Sequence, residues 1–331
     1  MREFLLPPWH IEALNPPFGD PGFFLYHTYS GAALIFDLGD LHRLSARKLL
    51  RATHIFISHG HIDHLIGFDQ LLRVTLNRPR HLHLYGPPGI IEMIGHKLQG
   101  YHWNLTAHYE LLISAHAVHK QKLEQCTFIC SNKFRPGPVT AENRKNAVIL
   151  KCATFTVKAA TLDHGIPCLA FALDEPMRIN FRPDELKRRN FKPGPWLTRV
   201  RQKLQAEAPD NTVVEISDEN YTLKEIAEAI AITGPGLKIA YVTDISSSRK
   251  NEKKLLPLIA GADLLICEAA FLNDAADKAG ISHHLTAFQA GTLARNAQVK
   301  NLKIFHFSPR HHGLEKDFYN QARAAFNGPV S

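Results

Sequence analysis

Three histidines and an aspartate stand within six residues of one another in the segment Ser58-His59-Gly60-His61-Ile62-Asp63-His64. Imidazole nitrogens and carboxylate oxygens are ligands of divalent transition metals. The alternate spacing of His59 and His61 places both rings on one side of an extended loop, while Asp63 and His64 turn toward a second position at the start of a helix. This arrangement favours a site for two metal ions over a solvated histidine-rich loop.

Three further candidate ligands stand where later strands end. His164 follows Leu162-Asp163, Asp244 follows the apolar segment 239–243, and His306 follows the segment 302–305. A histidine or aspartate at a strand end is by itself more often structural, but loops on a rigid scaffold usually carry the chemistry of a protein. Because all three occur in this order after the first motif, we predict that they complete the site.

The elements that must position these side chains are short apolar strands bounded by turn residues, with helical patterns between several of them. An apolar fraction of 45% suffices to bury a large core and excludes a disordered chain or a coiled coil. The order predicts a mixed α/β fold, and periodicity alone does not choose between a two-sheet sandwich and a doubly wound sheet. The predicted strands are 22–26, 32–38, 54–57, 81–84, 153–159, 169–173, 237–242, 264–267 and 302–307, and the predicted helices are 65–76, 90–98, 252–259, 285–297 and 316–326.

Cysteine content and hydropathy indicate a protein of the cytoplasm. The five cysteines form no C-x-x-C pair, which disfavours a disulfide framework and indicates a reducing compartment. The apolar run 4–6 before Pro7 and Pro8 is far too short for a secretory signal, and no segment approaches the roughly 20 apolar residues of a membrane span. We therefore predict cytoplasmic localisation and no membrane partner.

One segment, 178–203, is strongly basic. It carries nine basic and two acidic residues, a local charge of +7 in a chain whose formal charge is +8, so the excess is predicted to be a property of this segment. The turn Pro193-Gly194-Pro195 interrupts any long helix and predicts a protruding insertion. Basic residues interleaved with Phe181, Phe191 and Trp196 are typical of a surface that follows a phosphate backbone while the rings stack or pack. A solvated charged hairpin remains open as the alternative.

The order Ser-His-x-His-x-Asp-His, a histidine beside Asp163, an aspartate after a strand and a terminal histidine resembles the metallo-β-lactamase superfamily. Four further segments narrow the resemblance to ribonuclease Z, the family of tRNA 3′-processing endonucleases. They are Leu162-Asp163-His164-Gly165-Ile166-Pro167, Glu268-Ala269-Ala270-Phe271, His284-Leu285-Thr286-Ala287-Phe288-Gln289-Ala290 and His306-Phe307-Ser308-Pro309-Arg310. The resemblance spans about His54 to Pro309, and that family carries a flexible arm with a Gly-Pro turn where this chain has its basic segment.

The resemblance implies an α/β fold, a metallo-β-lactamase αββα sandwich that forms a single domain over residues 1–331, with a flexible RNA-binding arm inserted at residues 174–220. It also implies a homodimer in which the arm of one subunit serves the site of its partner. In the arm, the predicted RNA-binding residues are Arg182, Lys187, Arg188, Arg189, Lys192, Gly194 and Pro195.

The resemblance further implies two zinc ions per subunit, although ligand type alone also allows manganese or iron. One ion would be held by three histidines, the other by two histidines and an aspartate, and a second aspartate would bridge the two ions. In that order, these residues are His59, His61 and His164; Asp63, His64 and His306; and Asp244.

Two metal ions about 3.5 to 4 Å apart can hold a hydroxide and both oxygens of a phosphoryl centre, so the implied reaction is attack of a metal-activated hydroxide on a phosphodiester. Asp63 would orient the hydroxide or accept its proton. The leaving 3′-oxygen needs a proton, and His284, which aligns with a histidine of the family, is the candidate general acid. Glu268 would hold and charge its ring. The neighbouring His283 remains open as an alternative acid.

One region departs from the family. Residues 7–30 are rich in proline and aromatic residues and lack the Pro-x-x-x-Arg-Asn pattern of the loop that helps to select the tRNA 3′ end. We therefore expect a ribonuclease Z-like endoribonuclease acting on tRNA precursors, with a metallo-hydrolase of small phosphodiesters or other small molecules as the alternative. A non-catalytic nucleic-acid-binding protein with structural metals ranks last, because a structural site needs only four ligands. His311 and His312 receive no role.

Overall fold

The computed structural model describes residues 3–216 and 219–331, so residues 1–2 and 217–218 of the predicted ranges lie outside it. Contacts between backbone positions divide the described residues into two structural units. The first unit holds the residues up to Cys152, Val157–Leu173 and the chain from Lys238 onward. The second unit holds Ala153–Thr156 and Asp174–Leu237, and each unit is described by itself below.

The first unit contains a nine-stranded sheet whose strands lie side by side in chain order. The strand His54–Phe56, which leads into the histidine motif, is parallel to both of its neighbours. Since parallel strands end at the same edge, the loops after the central strands converge there. The strands are Glu3–Leu6, Trp9–Ala13, Phe23–His27, Ala33–Phe36, His54–Phe56, His81–Gly86, Leu112–Val118, Lys122–Ile129 and Thr140–Asn143.

A second sheet has six strands, and its last three are parallel. These three strands are almost entirely apolar and buried, as expected for parallel strands that are covered on both faces. In sheet order the strands are Val148–Lys151, Thr156–Asp163, Pro167–Asp174, Lys238–Val242, Leu264–Glu268 and Leu302–Phe305.

Aromatic side chains join the two sheets face to face. The ring of Phe56 lies 5.5 Å from that of Phe171, and Phe36 stacks on Tyr241 at 5.3 Å. Helices cover the outer faces, where two separate hydrophobic clusters bury the apolar side of each sheet. The first unit is therefore a four-layer αββα sandwich, as the sequence resemblance implied.

The five predicted helices are all observed in the first unit to within three residues at each end, and two short helices, Ala46–Leu49 and Ala276–Ile281, were not predicted. The predicted helix 285–297 is observed as Ala287–Asn296, because Thr286 caps it through a reciprocal pair of hydrogen bonds with Gln289. Among the described residues, no helix has the length and apolar character needed to cross a membrane. The helices are Ala46–Leu49, Phe68–Thr75, Ile90–Gln99, Arg249–Ile259, Ala276–Ile281, Ala287–Asn296 and Glu315–Phe326.

The second unit is a small α/β unit with a hydrophobic cluster of its own. Its two-stranded sheets pair Arg178–Phe181 with Ala231–Gly234 and Val213–Ile216 with Glu219–Thr222. The first of these pairings carries the unit beyond residue 220, the predicted end of the arm. Its helices are Pro183–Arg188, Pro195–Gln205 and Leu223–Ile230.

The predicted turn at Pro193-Gly194-Pro195 does separate two helices, since Pro195 is the first residue of the second one. Phe191 and Trp196 are buried in the hydrophobic cluster of the unit, with their rings 5.8 Å apart. Their side chains therefore pack inside the unit and are not available to stack on bases.

Acidic residues offset the basic segment within the same unit. Residues 174–237 hold ten basic and eleven acidic side chains, so the formal charge of this part of the chain is −1 and the rest of the chain carries +9. The prediction that the positive excess belongs to the arm is therefore wrong for the folded unit. The reason is that the acidic stretch 207–228 folds together with the basic stretch 178–203.

Candidate metal centre

The histidine motif lies in the loop that follows the strand His54–Phe56. Ser58 and His59 are completely buried, and Ile62–His64 form one 3₁₀ turn. This turn brings His64 back against His59, with 4.1 Å between the ring centroids. The next helix begins at Phe68 and not at residue 65 as predicted, because the 3₁₀ turn comes first.

The structure brings all seven predicted ligands together at one edge of the sandwich. They form two groups in which every side chain offers one nitrogen or oxygen within 4.8 Å of the others, and a third such group joins His284 to Asp244 and His306. We call these residues the His/Asp cluster. The first group is His59, His61, His164 and Asp244, and the second is Asp63, His64 and His306.

The carboxylate of Asp244 lies between the two groups. Its Oδ2 is 3.6 Å from Nε2 of His59, 3.7 Å from Nε2 of His164 and 3.2 Å from Nε2 of His64. Its Oδ1 is 3.4 Å from Nε2 of His306. The two oxygens of one side chain therefore face ligands of both groups, which is the geometry that a bridging carboxylate needs.

Three residues at this edge have a left-handed backbone conformation. Asp37, Asp244 and His306 each follow a strand directly or one residue later, with φ angles of 54°, 48° and 61°. A non-glycine residue in this region costs about 1–3 kcal/mol unless its surroundings fix it, and such residues concentrate at functional sites. The strain turns each side chain toward the cluster immediately after the strand ends.

Asp37 is a functional residue that the sequence analysis missed. It is fully buried, and its Oδ2 accepts hydrogen bonds from His64 Nδ1 at 2.8 Å and from the Tyr241 hydroxyl at 2.7 Å. Ser58 donates to the same carboxylate through its backbone nitrogen at 2.6 Å and through its hydroxyl at 2.8 Å. A carboxylate on Nδ1 fixes the histidine ring and leaves Nε2 free to bind a metal. Its position after the strand Ala33–Phe36 was the available signal.

The donor set fits a divalent metal. Nε2 of His59 and Nε2 of His64 are buried, and neither has a hydrogen-bond partner among the described residues. A buried polar atom without a partner is costly, so both nitrogens need a ligand. Burial, with the nearby His64, lowers the pKa of His59 to about 2, which keeps its lone pair available. Burial opposes ionisation of Asp244, but His306 and His64 hold its pKa well below the usual range.

His284 and Glu268 form a buried pair beside the cluster. Glu268 ends the strand Leu264–Glu268, accepts a hydrogen bond from Ile245 N at 2.7 Å and accepts another from His284 Nδ1 at 2.8 Å. Burial works against the charged ring, but the Glu268 carboxylate outweighs it and raises the pKa of His284 to about 9. His284 therefore holds a proton at neutral pH, as a general acid must.

The other three histidines near the cluster have different contacts. His283 is hydrogen-bonded to Ser246 at 2.9 Å, and its carbonyl oxygen accepts a hydrogen bond from His164 Nδ1 at 2.9 Å. His311 is buried against Phe318, and His312 stacks on Phe18 with 4.5 Å between the centroids. His311 and His312, which come a few positions after His306 in the sequence, thus have packing roles.

The predicted RNA-binding residues of the arm lie at the surface of the second unit. All five basic side chains are exposed. Arg188 and Arg189 lie 2.6 Å and 3.6 Å from Glu185, so this carboxylate neutralises part of their charge. Gly194 is the N-cap residue directly before the helix Pro195–Gln205, and its backbone is extended.

Relatives of this chain are known. Ribonuclease Z of Deinococcus radiodurans is 32% identical over 295 residues, which cover 88% of this chain and 86% of that protein. Ribonuclease Z of Thermococcus gammatolerans is 27% identical over 288 residues, which cover 84% of this chain and 76% of that protein. No family model matches the chain.

Solved structures share the fold. The metallo-beta-lactamase fold protein YhfI from Bacillus subtilis has a TM-score of 0.58 at 16% identity, covering 98% of this chain and 95% of that one. Human tRNase Z, short form, has a TM-score of 0.55 at 20% identity, covering 90% of each chain. The αββα sandwich is thus a metallo-β-lactamase fold, and its His/Asp cluster is of the kind that binds divalent metal. The chain belongs to the ribonuclease Z family and is a metal-dependent hydrolase.

Proposed function

We propose that the protein is an endoribonuclease that cleaves tRNA precursors on the 3′ side with two zinc ions bound in the His/Asp cluster. The observation that carries the proposal is the position of Asp244 between two ligand groups, with the hydrogen-bonded pair His284–Glu268 beside them. The relatives named ribonuclease Z support the choice of tRNA precursors as substrate.

Each ligand group would hold one ion, and Asp244 would bridge them. Two bound ions supply a nucleophile at neutral pH and neutralise the charge of the phosphoryl group. The protein contributes the orientation of the ligands, because Asp37 holds the His64 ring and the His283 carbonyl holds the His164 ring. Asp63 Oδ2 lies 3.6 Å from His64 Nε2, and its side chain is one-third exposed, so this carboxylate would orient the attacking water.

His284 would deliver the proton that the leaving 3′-oxygen needs. Its Nδ1 is engaged by Glu268, so Nε2 is the nitrogen that can donate. A cavity of about 300 Å³ is lined by His284, Asp63 and His306 together with Phe18 and Phe271, and we call it the His284 cavity. Its aromatic walls suit a nucleoside that presents its 3′-oxygen to the acid.

The exposed basic residues of the second unit would contact the RNA backbone. Arg182, Lys187 and Lys192 have no ion-pair partner among the described residues, so their charge is fully available. A homodimer, which rests on the family resemblance, and a cytoplasmic location, which rests on cysteine content and hydropathy, complete the proposal.

The decisive assay incubates metal-replete protein with a 3′-extended tRNA precursor and maps the cut. We expect cleavage just after the discriminator base that leaves a 3′-hydroxyl. Bis(p-nitrophenyl) phosphate is assayed in parallel. Turnover of this small ester without cleavage of the precursor would contradict the proposal and favour a hydrolase of small phosphodiesters.

The contribution of the arm is tested by removing charge without disturbing the core of the second unit. The triple variant Arg182→Gln, Lys187→Gln, Lys192→Gln should weaken RNA binding and lower the slope of log affinity against log salt by about 0.7 to 0.9 per lost phosphate contact. The control Lys224→Gln removes an exposed lysine from the acidic part of the same unit and should behave as the unaltered protein. An unchanged salt slope in the triple variant would contradict a role in RNA binding.

A further inference from the structure

A second cavity, of about 370 Å³, opens beside the His/Asp cluster between the helices Arg249–Ile259 and Ala287–Asn296. Its wall includes Ser246. This residue follows Asp244 by two positions and is hydrogen-bonded to His283. The carbonyl of His283 in turn fixes the ring of His164. The cavity is therefore separated from a predicted metal ligand by one layer of residues. We call it the Phe288 cavity, after the aromatic ring in its wall.

The walls of the Phe288 cavity combine an aromatic ring, apolar surface, polar groups and a cation. Phe288 is 42% exposed, an unusual state for this side chain, and Leu293 is one of the apolar residues beside it. Thr292 and Gln289 add polar atoms, and Arg249 adds an exposed positive charge. An aromatic face for stacking, polar groups for a base edge and an arginine for phosphate are the groups that bind a nucleotide of single-stranded RNA.

One acidic residue also lines the cavity. Glu252 accepts a hydrogen bond from Asn296 Nδ2 at 3.1 Å, so its carboxylate is engaged across the space between the two helices. This contact joins the helices on one side of the cavity and leaves Arg249 as the cation that lines it. The proposed chemistry at the His/Asp cluster uses none of these side chains.

Each of the two cavities would hold the nucleotide on one side of the scissile phosphate. His284 lines the first cavity, while the next residue, Leu285, lines the second. Because His284 protonates the leaving 3′-oxygen, the nucleoside that carries this oxygen lies in the His284 cavity. The nucleotide on the other side of the cut keeps the phosphate and extends away from the His284 cavity, and the Phe288 cavity is a recess of suitable chemistry beside the cluster.

We propose that the Phe288 cavity binds the first nucleotide 3′ of the cleavage site, with its base against Phe288 and its 3′ phosphate near Arg249. The inference rests on the proposed function, since it requires an RNA that extends beyond the cut. It makes Phe288 a determinant of how the enzyme engages the 3′ extension. Stacking on an aromatic ring accepts any base, so the extension is bound without a strict sequence requirement.

The test measures kcat/KM of the unaltered protein and of Phe288→Ala on each of two RNAs. The RNAs are a 3′-extended tRNA precursor and the same precursor with an abasic residue at the first position after the cut. We expect the unaltered protein to lose about ten-fold in kcat/KM on the abasic RNA. Phe288→Ala should lose about ten-fold on the intact RNA and nothing further on the abasic RNA, because the same contact is missing in both cases.

Two further variants keep the result specific. Thr292→Trp fills the cavity from the next turn of the helix that carries Phe288 and should likewise make the enzyme insensitive to the missing base. Tyr101→Ala removes another exposed aromatic ring, one that lies outside both cavities, and should remain as sensitive to the abasic residue as the unaltered protein. Metal content and melting temperature check that each variant is folded and loaded.

The outcomes separate this inference from the proposed function. If the unaltered protein cleaves the precursor but Phe288→Ala and Thr292→Trp lose as much on the abasic RNA as it does, the cavity does not bind that nucleotide. If the unaltered protein does not cleave the intact precursor, the proposed function and this inference both fail.

Discussion

Two groups of histidines lie at opposite ends of the strand His54–Phe56 and differ in the side chains that they contact and in their pKa values. The His/Asp cluster follows the end of the strand His54–Phe56. A second group, the sheet-face histidines, begins at the start of that strand and consists of His54, His81, His83 and His116. Its rings are as close as those of the cluster, with centroids of His54 and His83 at 5.0 Å and those of His83 and His116 at 5.4 Å.

The sheet-face histidines bond to hydroxyl groups and to one another. His81 Nε2 is hydrogen-bonded to the Ser114 hydroxyl at 2.8 Å, and His83 Nδ1 lies 3.1 Å from His116 Nε2. Burial, reinforced by the neighbouring imidazoles, lowers the pKa of His54 and of His83 to about 4 and that of His116 to about 3. Within the described ranges, their nitrogens do not form a group that converges on a metal position.

The His/Asp cluster differs because carboxylates are interleaved with its rings. Burial alone would lower the pKa of His64 and of His306 and keep both rings neutral. Asp244 raises the pKa of both, and Asp37 adds to this effect at His64. A cation is stabilised at such a place, whereas the sheet-face group repels one as soon as one ring is protonated. In this protein, interleaved carboxylates and strand-end loops distinguish the histidines that converge on candidate metal positions from those that do not.

The largest expected effect comes from the same substitution in each group. His64→Ala should lower the metal content and abolish hydrolysis, because it removes a predicted ligand whose Nε2 is 3.2 Å from Asp244 Oδ2. His83→Ala should keep the full metal content, since among the described residues its ring belongs to no group of candidate metal ligands. Metal analysis by mass spectrometry, together with RNA cleavage, measures both. Full activity of a metal-stripped preparation would refute the mechanism.

A smaller effect is expected from the paired acid. His284→Ala should reduce precursor cleavage by roughly 10² to 10⁴-fold while the metal stays bound. Hydrolysis of bis(p-nitrophenyl) phosphate should fall much less, because its phenolate leaves without a proton. Glu268→Gln should act in the same direction but more weakly, since an amide can still orient the ring that the carboxylate charges. Equal losses on both substrates would show that His284 is not the general acid.

The smallest effect concerns stability, and it tests the sheet-face histidines. The pKa of His116 is about 3 in the folded protein and about 6.5 when unfolded, so the unfolded chain binds the proton more readily. Stability from the neutral ring is therefore complete above about pH 6.5 and is lost as the pH falls from there toward 3. Per pH unit, the free energy of unfolding of His116→Gln should therefore fall by up to about 1.4 kcal/mol less than that of the unaltered protein. Urea unfolding between pH 7 and 4.5 measures it, and parallel curves for the two proteins would contradict it.

The half-buried His54 and His83 should contribute less to this pH dependence than His116. Solvent screens part of the interaction at each of them, so their shifts convert less fully into stability.

The structure brings the predicted ligands together for a physical reason. Asp244 and His306 follow buried parallel strands of the second sheet, and parallel strands end at one edge, so the residues after them meet. His164 follows the half-buried strand Thr156–Asp163. Asp37 obeys the same rule but was missed, because the predicted strand 32–38 ran through it, whereas the observed strand ends at Phe36. Its left-handed backbone and its contacts to His64 arise only from packing.

Other parts of the fold could not be predicted from local patterns. The strands Leu112–Val118 and Lys122–Ile129 carry Ser114, His116 and Gln125 among apolar residues, so no continuous apolar run marked them. The basic segment of the arm looked like an isolated charged insertion because its charge was counted along the chain. In the folded unit it is joined by acidic residues that follow it in sequence, a pairing that depends on long-range strand contacts.

The most direct test of the account is an anomalous diffraction map at the zinc absorption edge, measured from crystals of the zinc-loaded protein. We predict two strong peaks in the His/Asp cluster, one on each side of Asp244, and none among the sheet-face histidines. An empty His/Asp cluster, or a peak of equal height between His83 and His116, would contradict the claim that interleaved carboxylates define the metal centre.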